Sequence, residues 1–176
     1  MRTILFAAML GTAVAHISGC GRAPDTDSVT GTPSNPIDGS RYLLSDEPDD
    51  AIGVIEARES AVDGAPITVV GRIGGTTTPW VNGRAAFTLL DASMVLVAEG
   101  TDAGEGQICT GDCCAAERAH ATMLVKILDE NGRVLAADSR QLLGLAENDM
   151  VVVCGKATKD KSGNVALIAD AVFIRQ

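Results

Sequence analysis

The sequence predicts an all-β domain, a small closed barrel preceded by one helix. Short runs of β-branched and apolar residues follow position 66, and glycine, asparagine or aspartate bounds each of them. Few of these runs alternate cleanly between apolar and polar residues. Both faces of most strands are therefore expected to be covered, as in a barrel that closes on itself.

The first predicted element is the helix. Ser45 or Asp46 can accept hydrogen bonds at its N-terminus, and Pro48 suits its first turn. Gly64 and Pro66 prevent its continuation. The helix is therefore expected between these two groups of residues.

Five strands are then expected, with a short helix ahead of the last pair. The predicted strands are 67–73, 85–90, 121–128, 150–156 and 165–174, and the short helix is 142–147. Glu130-Asn131-Gly132 is a strong turn signal after the third strand, and residues 161–164 connect the last two. Five strands with a helix in this position are typical of the OB-fold, a five-stranded barrel.

Part of the chain resembles known families. Residues 148–156 are similar to the start of the last hairpin in many OB-fold proteins, where a glycine lets the barrel close. The stretch from Tyr42 to the C-terminus resembles a family of uncharacterised bacterial exported lipoproteins. The shared segments are 69–75, 83–88 and the pair Cys113-Cys114. The resemblance implies an OB-like domain and carries no known activity.

The N-terminus predicts export and lipidation. Arg2 supplies a positive charge, and residues 4–14 are apolar. Ile17-Ser18-Gly19-Cys20 resembles a lipobox, a motif that ends in a cysteine to which bacteria attach a lipid. We expect a signal peptide over 1–19 and a lipid on Cys20. The alternative is cleavage after Ala15, which would release a soluble chain.

Residues 20–41 are expected to be a tether and 42–176 the folded domain. Residues 21–40 are rich in Gly, Pro, Ser, Thr and Asp, too polar to offset the entropy lost on ordering. About 20 such residues reach on the order of 25 Å. Gly21 follows the lipidated cysteine and favours the outer membrane over the inner one, by resemblance to bacterial lipoproteins. The membrane is therefore an expected partner.

Charge and aromatic content disfavour nucleic-acid binding. Without residues 1–19 the chain has 13 Lys and Arg against 23 Asp and Glu, a net charge of −10. Such a chain repels phosphate backbones. The aromatic residues that remain are Tyr42, Trp80, Phe87 and Phe173. Single-strand binding usually uses several stacked rings.

The cysteines other than Cys20 predict disulfides. These are Cys109, Cys113, Cys114 and Cys154. An even number in an oxidising compartment predicts two bridges. Adjacent cysteines rarely pair, so one of Cys113 and Cys114 is expected to bind Cys109 and the other Cys154. The longer link would close a loop of about 40 residues and stabilise the fold by roughly 3–4 kcal/mol.

A metal or thiol-redox site is the alternative use of these cysteines. Cys109, Cys113 and Cys114, with His120 or Cys154 as a fourth ligand, offer donors that suit zinc or copper. The C-x3-C-C spacing is not a standard zinc pattern, and no C-x-x-C motif supports thiol exchange. The preferred interpretation therefore includes no cofactor.

A ligand is expected between two loops, by analogy with other OB-folds. Residues 74–83 carry the single tryptophan, Trp80, and Arg72 and Arg84 flank them. The last hairpin carries Lys156, Lys159 and Lys161. If these loops converge, the ring and the cations could hold an anionic or planar ligand. The alternative is that Trp80 packs against the end of the barrel.

The sequence favours a binding or scaffold module of the cell envelope that is not an enzyme. It has no G-x-S-x-G, H-E-x-x-H or P-loop motif, and His120 is the one histidine left after lipidation. The expected partner is an envelope protein or a small ligand. The alternatives are metal or thiol chemistry at residues 109–114 and, more weakly, oligonucleotide binding.

Overall fold

The structure is a computed structural model that describes residues 37–94 and 115–175. In chain order the elements are a 3-10 helix (Ser40–Tyr42), β1 (Ile52–Gly53), α1 (Val54–Ser60), β2 (Pro66–Ile73), β3 (Ala86–Leu90), α2 (Ala115–Ala121), β4 (Thr122–Lys126), α3 (Ser139–Leu143), β5 (Met150–Lys159) and β6 (Val165–Ile174).

Five strands close into a barrel in the order β2–β3–β4–β6–β5, and β5 pairs back with β2. β4 and β6 run parallel, and the other neighbouring pairs in the barrel are antiparallel. α3 lies between β4 and the β5–β6 hairpin. The predicted OB-like all-β barrel is confirmed.

The strands are strongly staggered around this barrel. Extending the β2–β3 register places Ala86 opposite position 76. If the paired residues are followed from Ala86 the other way around the barrel, through β4, β6 and β5, the residue reached on β2 is Pro66. This displacement of ten residues (76 − 66) means that the strands are tilted to the barrel axis, which is how a sheet with so few strands closes.

The interior of the barrel is filled by aliphatic side chains and Phe87. Val69, Leu89, Val125, Val153 and Leu167, one from each strand, are completely buried. A β-bulge lies between Cys154 and Gly155. A Cβ atom on Gly155 would overlap the carbonyl oxygen of Ile168, so glycine permits the β5–β6 approach. This agrees with the expected role of a glycine in closing the barrel.

The first helix begins later than predicted. Ile52 and Gly53 form β1, which pairs in parallel with Val69 and Val70 of β2. α1 starts at Val54. Its N-cap residue is Gly53, which has no side chain that could cap the helix. The prediction from Ser45, Asp46 and Pro48 was wrong because a long-range strand pairing takes Ile52 and Gly53 out of the helix.

The other helices differ from the prediction in smaller ways. α3 begins three residues before the predicted 142–147 helix because Asp138 accepts a hydrogen bond from the backbone N–H of Arg140 and caps it. It ends at Gly144, whose positive φ of 71° suits a helix C-terminus. Residues 115–121 form α2, a helix that was not predicted.

Candidate functional site

An open cleft lies on the outside of the barrel, beside the start of β4. Its volume is about 340 Å³. One wall is the loop after β2, the other is α2, and Thr122 lies between them. The described lining residues are Gly75, Thr76, Thr77, Ala115, Arg118, Ala119 and Thr122. The cleft therefore lies next to β4, outside the packed interior of the barrel.

The sequence of α2 leaves room for the cleft. Ala115, Arg118, Ala119 and Thr122 follow a spacing of three and four residues, so they share one side of the helix and its continuation. The two alanines contribute only methyl groups to that side. The alanine content also favours the helix itself. The space thus exists because α2 carries small side chains where it faces the loop.

Gly75 allows the opposite wall to lie close to the sheet. Its φ is +85°, in the left-handed region that glycine adopts readily. A Cβ atom there would come within 2.5 Å of Thr122 Cγ2 and 3.3 Å of Leu90 Cδ1. Glycine at position 75 therefore sets the distance between the loop and β4.

Two side chains hold α1 against the elements around the cleft. Arg58 Nη1 donates to the carbonyl oxygen of Thr122 at 2.8 Å. Asp91, which follows β3, accepts at Oδ2 from the backbone N–H of Ile55 at 2.9 Å. Burial raises the pKa of Asp91, but hydrogen bonds from Ser93, Ile55 and Val54 outweigh it and hold the pKa below its ordinary value. A carboxylate distant in sequence thus caps α1.

Trp80 packs against the fold, which was the alternative to its role as a ligand platform. It is half-buried, and its ring centroid lies 6.3 Å from that of Phe87. Arg140 lies over the ring with Cζ 5.6 Å from the centroid. Since Phe87 and Arg140 both contact the ring, Trp80 helps to hold the loop after β2 against the barrel.

Arg72 and Arg84 also contact the backbone. Arg72 Nη1 donates to the carbonyl oxygen of Asn148 at 2.9 Å, and Arg84 Nη1 to that of Val134 at 3.4 Å. Both arginines thereby link strand ends to the segment between β4 and β5. Neither is among the residues that line the cleft.

The two loops expected to converge lie at opposite ends of β2. Trp80 follows its C-terminal end. Lys156 is opposite Pro66, and the backbone N–H of Lys159 donates to Asp63 Oδ1 at 2.8 Å, both near the N-terminal end. The length of β2 is about 23 Å. The expected convergence of Trp80 with Lys156, Lys159 and the exposed Lys161 was therefore wrong, because β5 runs antiparallel to β2.

Three of the four cysteines with a predicted disulfide or metal role lie outside the described residues. These are Cys109, Cys113 and Cys114. Cys154 is half-buried and forms no disulfide within the described residues, and its Sγ accepts a hydrogen bond from Thr68 Oγ1 at 3.7 Å. His120 is exposed on α2. Within 37–94 and 115–175, no three metal-ligating side chains come together. The disulfide pairing and the alternative metal site stay predictions.

The lipidation residue, Cys20, lies outside the described residues, together with the whole signal segment. Among the helices that the structure describes, none has the length and apolar character needed to cross a bilayer. The membrane anchor therefore stays a prediction.

No protein-family model matches this chain, and a search among curated proteins found no relative. The interpretation of the cleft therefore depends on its own residues.

The cleft is not predictable from the sequence alone. Its lining comes from two loop threonines, a glycine, an alanine-rich heptapeptide and Thr122 after it, which together form no chemical motif. The available signal was the helix propensity of Ala-Ala-Glu-Arg-Ala-His-Ala. The position of that helix against residues 75–77 depends on the closed barrel and cannot be obtained from its own sequence.

Proposed function

We propose that this protein is an exported lipoprotein whose OB-like barrel binds a ligand at the cell envelope without catalysing a reaction. In this proposal the lipid on Cys20 attaches the chain to the membrane, preferably the outer membrane, and the segment that follows it acts as the tether. The expected tether of 20–41 ends before Gly39, which is buried against Leu142 next to the 3-10 helix. The observation that carries the binding role is the cleft between residues 75–77 and α2.

The chemistry of the lining favours binding over catalysis. The described lining residues are glycine, alanine, threonine and arginine. Threonine and arginine orient and hold polar ligands, whereas general acid–base catalysis uses groups such as histidine, aspartate and glutamate. Arginine stays protonated at physiological pH and cannot serve as a base.

Two properties argue against an oligonucleotide as the ligand. The net charge of the chain without residues 1–19 is −10. Tyr42, Trp80, Phe87 and Phe173 are absent from the described lining of the cleft. A nucleic-acid surface depends on cations and stacked rings, so a small molecule fits this site better.

The anchoring part of the proposal is tested by phase partition in detergent. We expect the wild-type protein in the detergent phase with a lipid mass on Cys20, and the Cys20→Ser variant in the aqueous phase. Cys154→Ser replaces a cysteine of the barrel and is the matched control, which should partition like the wild type. A wild-type protein found in the aqueous phase with His16 as its first residue would show cleavage after Ala15 instead.

The binding part is tested by a thermal-shift screen of small molecules against the mature protein in detergent. We expect compounds that raise the melting temperature of the wild type but not of Ala119→Leu, whose larger side chain fills the cleft. Ala116→Leu is the control, because Ala116 is exposed on α2 but does not line the cleft. If every stabilising compound acts equally on Ala119→Leu, the cleft is not the binding site.

A further inference from the structure

We propose that the cleft binds a small organic anion, a carboxylate or phosphate attached to a compact apolar body. This inference rests on the proposed binding function and specifies its ligand. It follows from the juxtaposition of Arg118, three threonines and two alanine methyl groups around one open volume.

The volume sets the size of the ligand. About 340 Å³ is near the lower limit of small-molecule sites. The cleft has two walls, residues 75–77 and α2, and opens to solvent between them. The cleft therefore suits a ligand at the small end of the range that such sites hold.

The side chains set the charge of the ligand. Arg118 is the ionised group among the described lining residues. A guanidinium has five N–H donors in a planar fork, so it can bind an anion while it keeps its contacts within the fold. The planar fork matches a carboxylate or a phosphate better than it matches a neutral group.

The remaining lining residues divide the cleft into a polar and an apolar side. Thr76 and Thr77 belong to the loop and are exposed, so their hydroxyl groups can donate to an anion. Ala115 and Ala119 contribute methyl groups from α2. The α2 wall thus carries Arg118 and two methyl groups, and the loop wall carries hydroxyl groups. An anion with a small apolar body matches this combination better than a fully polar ligand such as a sugar.

NMR titration of the ¹⁵N-labelled mature protein in detergent tests this directly. The probes are benzoate, phenyl phosphate and benzyl alcohol, which share a ring and differ in the charged group. We expect saturable amide shifts within 75–77 and 115–122 with benzoate or phenyl phosphate, and none with benzyl alcohol. The stronger of the two anions identifies carboxylate or phosphate as the preferred group.

Three variants assign the effect to the cleft. Arg118→Gln removes the charge and should weaken anion binding about tenfold or more. Ala119→Leu fills the volume and should abolish binding. Arg133→Gln is the control, because Arg133 pairs with Asp129 away from the cleft and should bind like the wild type.

The outcomes separate the two proposals. Saturable shifts at 75–77 and 115–122 by benzyl alcohol as strong as those by the anions would overturn the anionic ligand but keep the binding site. Anion affinity unchanged in Arg118→Gln would also overturn it. No saturable shift with any probe rejects the organic anion, and the compound screen then decides separately whether the cleft binds at all.

Discussion

At the scale of single residues, Asp138 joins a helix cap to an ion pair. Its carboxylate accepts from Arg140 Nε at 2.8 Å and Nη2 at 2.6 Å, and from the backbone N–H of Arg140 at 3.0 Å. The hydrogen bond from the Arg140 side chain, helped by the backbone N–H, outweighs desolvation and lowers the pKa of Asp138 to about 2. Arg140 also contacts the ring of Trp80. The charge of Asp138 therefore helps to position the loop after β2.

This pKa gives a dependence of stability on pH. Because the folded pKa lies below the unfolded value of 3.8, the ionised Asp138 stabilises the fold above about pH 4, and that contribution is lost as pH falls towards 2. We expect Asp138→Asn, which can still cap α3, to be slightly less stable than the wild type at pH 7. The difference should shrink between pH 4 and pH 2.

Urea unfolding followed by Trp80 fluorescence measures this difference at each pH. Asp170→Asn, which changes an exposed carboxylate on β6, is the control and should keep the wild-type acid profile. A difference between wild type and Asp138→Asn that stays constant from pH 7 to pH 2 would contradict the role of the ionised carboxylate.

At the scale of elements, the bulge between Cys154 and Gly155 is a point where β5 and β6 come very close. A Cβ atom at position 155 would overlap the backbone oxygen of Ile168, which cannot move aside by a change of rotamer as a side chain can. We expect Gly155→Ala to lower the free energy of unfolding by about 2–3 kcal/mol. Denaturant unfolding monitored by circular dichroism measures it.

Gly163→Ala is the matched comparison. Gly163 lies in the turn between the same strands, with a positive φ of 84°, and a Cβ atom added to it would have no neighbour within 4 Å. Its substitution should cost about 1 kcal/mol from backbone strain alone. Equal losses for the two variants would mean that the β5–β6 contact tolerates a methyl group.

Local patterns predicted the strands better than the helices. The run 165–174 was predicted with the observed ends, since a β-branched segment bounded by a glycine turn is a local signal. α1 was misplaced because the pairing of Ile52 with Val69 joins distant positions. α2 was missed because seven residues beside a strand give a weak periodic signal.

At the scale of the whole molecule, the barrel was predictable and the site was not. Five strands with a helix before the last hairpin were enough for the barrel. Trp80 and the lysines were predicted as ligand residues because OB-folds bind between the corresponding loops, yet the antiparallel register places them at opposite ends of β2. The cleft instead combines small residues from distant segments, whose proximity only the closed barrel creates.

The contacts of α1 also determine when this helix can form. Seven residues are too few for a stable helix in isolation. Its partners are Asp91, 36 positions after Ile55, and the carbonyl of Thr122, 64 positions after Arg58. This helix is therefore stable only when Asp91 and Thr122 are in place beside it.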